Sequence, residues 1–302
     1  MLKGCHSSGP LSLKLFPLRS ILVATNLAPS SQRAAQHAIE IARRFGSKLH
    51  FVHVVSSIGY TLCGPDVLRQ ATELAEREMD DFKTRLICSG ILKGVESRFS
   101  VRPGGIASEV EQLARDEHID LIVVGTKCRQ GISRLVFGSV SERIYRRTQQ
   151  PVLTVNVNTR RPRLKVGRLD HVLLATDLRG PSNLGLSYAA SVAAQFNATL
   201  SMIHVVRSLR TESSDLQRAQ ASMRASLLRL GAPGSEGAFE PVRLVQCGDV
   251  AERILEIANS LCPNLIVMGL NRRTPALTER FARSVASRII SDVGCPVLTV
   301  TR

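Results

Sequence analysis

The chain has 302 residues, which suggests about two domains, with 44% apolar and only 4% aromatic residues. Its net charge of +15 and pI near 10.3 raise the question of a polyanionic partner, yet the basic excess is spread evenly: 21 Lys/Arg against 14 Asp/Glu over residues 1–158, and 19 against 11 over residues 159–302. With no basic arm, zinc finger or aromatic RNA-binding strand motif, specific nucleic-acid binding is not expected; seven scattered cysteines without a CxxC pair suit reduced thiols in the cytoplasm, and no segment approaches a membrane span.

Residues 1–18 lack a continuous apolar core of signal-peptide quality and read as a loose extension. Ile21 to Ala24 is then a short apolar run of the kind buried on both faces of a sheet. A helix is expected after it, capped by Ser30 or Ser31, striped by Ala34, Ala35, Ala38, Ile39 and Ala42, and closed by Gly46. Leu49 to Val55 is a second strand, followed by a loop through Gly59 and Gly64-Pro65. Val67, Leu68, Ala71, Leu74, Ala75, Met79, Phe82 and Leu86 recur at helical steps and predict a long amphipathic helix over Asp66 to Ser89. Val95 to Val101 is a third strand, Ala107 to Asp116 a helix behind Gly104-Gly105, and Leu121 to Val124 a fourth buried strand. Ser139 to Arg147 is a helix and Val152 to Val155 the fifth strand. Strand alternating with helix implies a parallel, doubly wound sheet with right-handed crossovers. Ligands of such sheets settle at carboxyl strand ends where the strand order reverses, which points to Thr25-Asn26 and Gly125.

Beyond residue 168 the chain repeats itself. Ser20-Ile21-Leu22-Val23-Ala24-Thr25-Asn26-Leu27 returns as His171-Val172-Leu173-Leu174-Ala175-Thr176-Asp177-Leu178, and Leu49 to Val55 returns as Leu200 to Val206. Asp120 to Gly125 returns as Asn264 to Gly269, and Gln150 to Val155 as Cys295 to Val300. Four matching segments in one order mean a duplicated domain, not a short-period solenoid. The boundaries follow as domain 1 over residues 19–156, a basic, Pro-interrupted linker over 157–168, and domain 2 over 169–302. In the second copy Ser213 to Leu230 is the long helix and Gly231 to Gly237 the loop behind it. The fold class is α/β, two tandem five-stranded Rossmann-like domains.

The loop most suited to chemistry runs Gly125-Thr126-Lys127-Cys128, nine further residues, then Gly138-Ser139 at a helix start. Gly125 permits a sharp turn after the strand, Gly138 permits close approach of a phosphate, and Ser139 caps a helix whose N-terminus favours anions. Lys127, Arg129 and Arg134 add positive charge. By itself this spacing is a weak signal, since Gly-Ser before a helix is ordinary capping.

Together with the Leu-Ile-Val-Val-Gly strand before it, Ala-Thr-Asn, His-Val-Val and Gln-Pro-Val-Leu-Thr-Val, the loop resembles the universal stress protein (UspA) family over residues 19–156 and 169–301. The ATP-binding members carry Gly-x-x-Gly, a nine-residue gap and Gly-Ser/Thr, with an Asp at the end of the first strand. The resemblance implies that Gly125, Gly138 and Ser139 match, that Val140 continues the phosphate loop, that Lys127 lies toward phosphate, that Thr25 and Asn26 lie toward adenosine, and that Val54 and Val124 wall the adenine. Cys128 replaces the second glycine and Asn26 the aspartate. Asparagine is expected to retain an oxygen able to accept a ribose hydroxyl while losing the charge.

The second copy departs in the opposite way. Asp177 restores the acid, and Val205 and Gly269 hold their places, but Arg272 and Arg283 stand at the two glycine positions and only Ser284 survives. Arginine cannot offer the bare backbone of a triphosphate loop, so this degenerate site is expected to hold a smaller anion or to act as scaffold.

His53 and His204 end equivalent strands and read as structural, with no nucleophile fixed beside them. His50 and His53 point to opposite faces of a strand, so no metal site is assigned. Cys128 sits among basic residues that would lower its pKa, although a small-residue replacement accounts for it more simply. Glu109, Glu111 and Asp116 read as a solvated helix face. The closing strands, Pro151 to Val155 and Pro296 to Val300, suit pairing of the two domains with each other, and a homodimer of two chains is a further option. The resemblance implies a cytoplasmic, non-catalytic protein of the stress response that binds ATP or a related adenine nucleotide in domain 1 only. The alternative is a UspA-type dimerisation or protein-interaction module without ATP. An enzyme is not expected, because no general base or metal-ligating carboxylate is placed beside the loop.

Overall fold

The computed structural model describes residues 18–28, 31–57, 65–126, 139–156, 169–178, 182–207, 213–229, 241–270 and 284–301. The first half runs β1 (Ser20–Ala24), α1 (Gln32–Phe45), β2 (Lys48–Ser56), α2 (Pro65–Cys88), β3 (Ser97–Gly104), α3 (Ile106–Asp116), β4 (Leu121–Thr126), α4 (Ser139–Arg147) and β5 (Val152–Asn156). The second half repeats it as β6 (His171–Ala175), α5 (Ser182–Phe196), β7 (Thr199–Val206), α6 (Ser213–Arg229), β8 (Val242–Cys247), α7 (Val250–Leu261), β9 (Leu265–Leu270), α8 (Val285–Asp292) and β10 (Val297–Thr301). The N-terminal extension, the linker and the loop behind α6 lie outside the described residues.

The apolar runs become strands buried on both faces: Ile21, Leu22 and Val23 are fully buried, as are Ile122 and Val123. All ten strands form one sheet in the order β3-β2-β1-β4-β5-β10-β9-β6-β7-β8. Every pairing is parallel except that of β5 with β10, which is antiparallel and sets Leu153 opposite Leu298. That pair marks a pseudo-twofold axis. The closing strands therefore sit at the centre of the sheet, and its outer edges are β3 and β8.

Helices α1, α2, α5 and α6 cover one face and α3, α4, α7 and α8 the other, each layer closing one hydrophobic core. The first strand of each half is pinned the same way. Asp120 Oδ2 accepts from the backbone N–H groups of Arg19 and Ser20 (2.7 and 3.0 Å), and Asn264 Oδ1 from those of Asp170 and His171 (2.8 and 2.9 Å).

Two expectations shift. The third strand covers Ser97–Gly104, because its half-buried later residues continue to pair with β2 up to Gly104 opposite Ser56. In α2 only Ala75, Met79, Phe82 and Leu86 are buried, whereas Leu74 is 58% exposed; α2 lies over β2 and β3 at the sheet margin, which covers one narrow stripe. Gly46 ends α1 at φ 67°, and Gly104 and Gly248 end β3 and β8 at φ 148° and 129°, a region open to glycine.

Candidate functional site

The chain winds from β1 to β2 and β3 on one side, then returns to β4 on the other, so β1 and β4 flank the switch point of the first half. A cleft of about 290 Å³ opens there. Ala24, Thr25 and Asn26 border it from β1, Val52, His53 and Val54 from β2, and Val124, Gly125 and Thr126 from β4. Ser31, Ile106, Val140, Ser141 and Ile144 complete the wall from the helices. Thr25, Asn26, Val54, Val124, Gly125 and Val140 are thus brought together. Lys127, Cys128 and Gly138 lie outside the described residues, and of Ser139 only the backbone, which begins α4, is described.

The turn after β1 is tightly specified. Leu27 adopts φ 61° and its N–H donates to Thr25 Oγ1 at 3.0 Å, an unusual conformation for leucine held by a local hydrogen bond and burial. Of the two serines expected to cap α1, Ser30 lies outside the described residues, and Ser31 occupies the N-cap position without a capping bond; its hydroxyl is turned to the β1 turn and donates to Asn26 Oδ1. The Ala28 N–H also donates to Asn26 Oδ1 (3.3 Å), and the Asn26 N–H donates to Ser31 Oγ (3.3 Å). A backbone N–H can only donate, so these contacts fix which end of the amide is oxygen. The oxygen expected to meet a ribose is engaged in the turn, and the group Asn26 has left to offer is the donor Nδ2.

His53 Nδ1 lies 2.9 Å from Thr25 O, and His204 Nδ1 lies 2.8 Å from Thr176 O. A carbonyl only accepts, so each ring donates there and ties the ends of two neighbouring strands together. Thr126 carries a different signal. The residue is 8% exposed, it borders the cleft, and its Oγ1 has no hydrogen-bond partner among the described residues. Such buried hydroxyls are uncommon and call for a reason. Ser31 and Thr126 are functional candidates that motif reading misses, because each is an ordinary polar residue until the strand ends converge, whereas His53 has the structural role read for it from the sequence.

Glu111 is not simply solvated: it accepts from Arg115 Nη1 at 2.9 Å and from Arg147 Nε at 3.0 Å, clipping α4 to α3 beneath the cleft. Glu109 lies 3.9 Å from Arg102.

The second half repeats the turn but not the rest. Leu178 has φ 60° and its N–H donates to Thr176 Oγ1 at 3.1 Å. Asp177 is exposed and Val205 buried, and Gly269 sits on β9 with Gly185 of α5 so near that an added Cβ would stand 3.0 Å from its nitrogen. Arg272 and Arg283 lie outside the described residues. Ser284 is the N-cap of α8, its hydroxyl accepting from Ser287 N–H at 3.2 Å. Aligning Gly104 with Gly248 sets Gly105 opposite Asp249, and that aspartate has two bonds of its own. It caps α7 by accepting from Glu252 N–H (2.9 Å), and Arg288 Nη1 of α8 reaches both its oxygens (3.0 and 3.1 Å). The Glu252 N–H first, and Arg288 after it, hold the Asp249 carboxyl below its usual range.

Among the described residues no cluster of His, Cys, Asp or Glu is arranged to hold a metal, and no helix is long and apolar enough to cross a membrane. Cys88, Cys247 and Cys295 are free thiols, the Cys262 thiol donates to Asn259 O at 3.3 Å, and burial pushes the pKa of Cys295 up to about 12.

A model of the universal stress protein family matches residues 17–156 and again 168–301. A universal stress protein of Methanocaldococcus jannaschii is 29% identical over 138 residues, covering 45% of this chain and 81% of the relative. A putative universal stress protein of Staphylococcus saprophyticus is 33% identical over 143 residues, covering 45% and 83%. Over nearly the whole length, the fold is similar to the crystal structure of a universal stress protein from Archaeoglobus fulgidus, with a TM-score of 0.72, 18% identity, and coverage of 95% of this chain and 97% of that one.

Proposed function

Since this chain belongs to the universal stress protein family in both of its halves, we propose that it is a cytoplasmic, non-catalytic regulatory protein that binds ATP or a related adenine nucleotide in its first half alone. The observation that carries this reading is the cleft at the first switch point, bordered by Thr25, Asn26, Val54, Val124, Gly125 and Val140. Its volume lies near the lower end of small-ligand pockets, about 300–1,000 Å³, and suits a nucleoside whose phosphates run out toward Lys127, Cys128, Gly138 and Ser139.

In this reading Val54 and Val124 enclose the base, Asn26 Nδ2 donates to the ribose, and Thr126 Oγ1 finds in the ligand the partner it otherwise lacks. The first N–H groups of α4 take the phosphate, where unpaired donors and the helix dipole both favour an anion. His53 is engaged with Thr25 O, and the described wall carries no carboxylate to activate water. Binding without turnover is the chemistry that this supports. Residues 19–156 and 169–302 act as the two domains, joined through residues 157–168.

In the second half Asp249 places a carboxylate against Arg288 where the first half has Gly105. That half serves as scaffold, with Arg272 and Arg283 left to hold a smaller anion or to fold back on Asp177. A second reading, an interaction module without nucleotide, is favoured by one observation: the Asn26 oxygen is engaged in the turn. Native mass spectrometry of the purified chain separates the two. Retained adenine nucleotide that is lost in Gly138→Arg supports binding, whereas an empty chain with no thermal shift in millimolar ATP supports the module.

A further inference from the structure

A second cavity, of about 140 Å³, lies on the pseudo-twofold axis between α1 and α5. Its walls come in symmetric pairs: Ile41 with Val192 and Phe45 with Phe196, above the facing pair Leu153 and Leu298. Phe45 and Phe196 meet edge to face at 6.0 Å. Arg44 lies 4.2 Å over the Phe196 ring and donates to Gln195 O at 3.3 Å, so the aromatic wall is held from outside.

The pairs are not all alike. His37 stands on α1 where α5 carries Tyr188. His37 Nδ1 donates to Arg33 O one turn back (2.8 Å), which leaves Nε2 of the neutral ring as an acceptor. That Nε2 is buried and has no hydrogen-bond partner among the described residues. Burial, more than the nearby Arg33 charge, lowers the pKa of the ring, so the accepting form persists at neutral pH. A largely apolar space, which Tyr188, Gln195 and Asn264 also border, thus has in its wall an imidazole whose accepting nitrogen meets no donor among the described residues.

We propose that this cavity binds a compact apolar molecule of single-ring size bearing one hydrogen-bond donor, of the phenol class, whose hydroxyl donates to His37 Nε2. The size argument is direct, since an apolar cavity of about 150 Å³ accommodates benzene. The polarity argument follows from His37, because a ring without a donor leaves Nε2 as it is and a ring with one satisfies it. Since both halves line the cavity, the ligand stabilises the joined molecule and not either half alone. The site is separate from the nucleotide cleft and does not depend on its assignment.

The test is calorimetric titration of the full chain with phenol and with toluene, which share a ring and differ in the donor. Phenol should bind about 10-fold more tightly, the worth of one hydrogen bond. His37→Phe should abolish that difference while toluene still binds, and Val192→Phe should abolish binding of both by filling the space; melting temperatures of both variants establish that they fold. Equal affinity for the two rings, no binding of either, or undiminished phenol binding in Val192→Phe overturns the proposal. So does phenol binding that appears only when residues 1–17 are removed, which would make the protein's own terminus the occupant.

Discussion

At position 26 a carboxamide stands where the ATP-binding relatives implied by the resemblance carry a carboxylate, and the turn around it decides what that exchange does. Because Asn26 Oδ1 already accepts from Ser31 and Ala28, Asn26→Asp should keep the turn through one oxygen and present the second, charged, to the ribose. The expected outcome is adenosine affinity increased about tenfold, as for a hydrogen bond made charge-assisted; unchanged affinity by calorimetry would remove Asn26 from the site. Thr126 gives a sharper test. Replacing an unpartnered hydroxyl by an apolar group of the same shape is nearly neutral for folding, so Thr126→Val should leave stability within about 1 kcal/mol. Nucleotide affinity should nevertheless fall several-fold; a stable variant that binds normally would remove the Thr126 hydroxyl from the site. Thr25 and Gly125 were legible in the sequence because the repeat displays them twice, and Asn26 because it follows Thr25 at the end of the same buried strand. Thr126 and Ser31 were not, since their importance arises from the approach of β1, β4 and α1.

Helix ends carry the asymmetry at the next scale. Asp249 caps α7 and binds Arg288, whereas the aligned Gly105 begins α3 without a side-chain cap. Asp249→Ala should destabilise the protein by about 1 kcal/mol, the usual worth of such a cap. The sign of the pH dependence follows from the lowered carboxyl pKa. The stabilisation is present above the ordinary value of 3.8 and is lost as pH falls through the lower folded value, so urea melts of wild type and variant should differ at pH 7 and converge in acid. A gap that persisted at the lowest pH would deny the carboxylate this role. Most elements were readable because fully buried strands such as β1 and β4 are short apolar runs, and α4 was bounded correctly at Ser139 and Arg147. The end of β3 was not readable: Arg102, Pro103 and Gly104 have no strand-like pattern, and only their pairing with β2 makes them one.

Across the whole molecule the antiparallel junction joins the two halves in one sheet. Thr299 Oγ1 donates to Val152 O (3.2 Å), Thr301 Oγ1 to Thr148 O (3.0 Å), and Asn156 Nδ2 to Ile290 O and Ser291 O at the end of α8 (3.3 and 2.9 Å). Asn156→Leu would strip buried carbonyls of their donor and should cost about 1–3 kcal/mol. If Asn156 couples the halves, differential scanning calorimetry should also show the single transition broaden or split; an unchanged transition would show that the strand pairing suffices. Duplication was plain in the sequence, and the terminal β-rich strands already pointed to pairing of the halves through them; the antiparallel register of that pairing depends on contacts far apart in the chain, which no local pattern encodes. Within the joined sheet, the proposed function gives the nucleotide to the first half alone. Calorimetric titration of the full chain with ATP tests that claim most directly. One site per chain, lost in Gly138→Arg, is the predicted result; two sites, none, or binding that survives Gly138→Arg would contradict it.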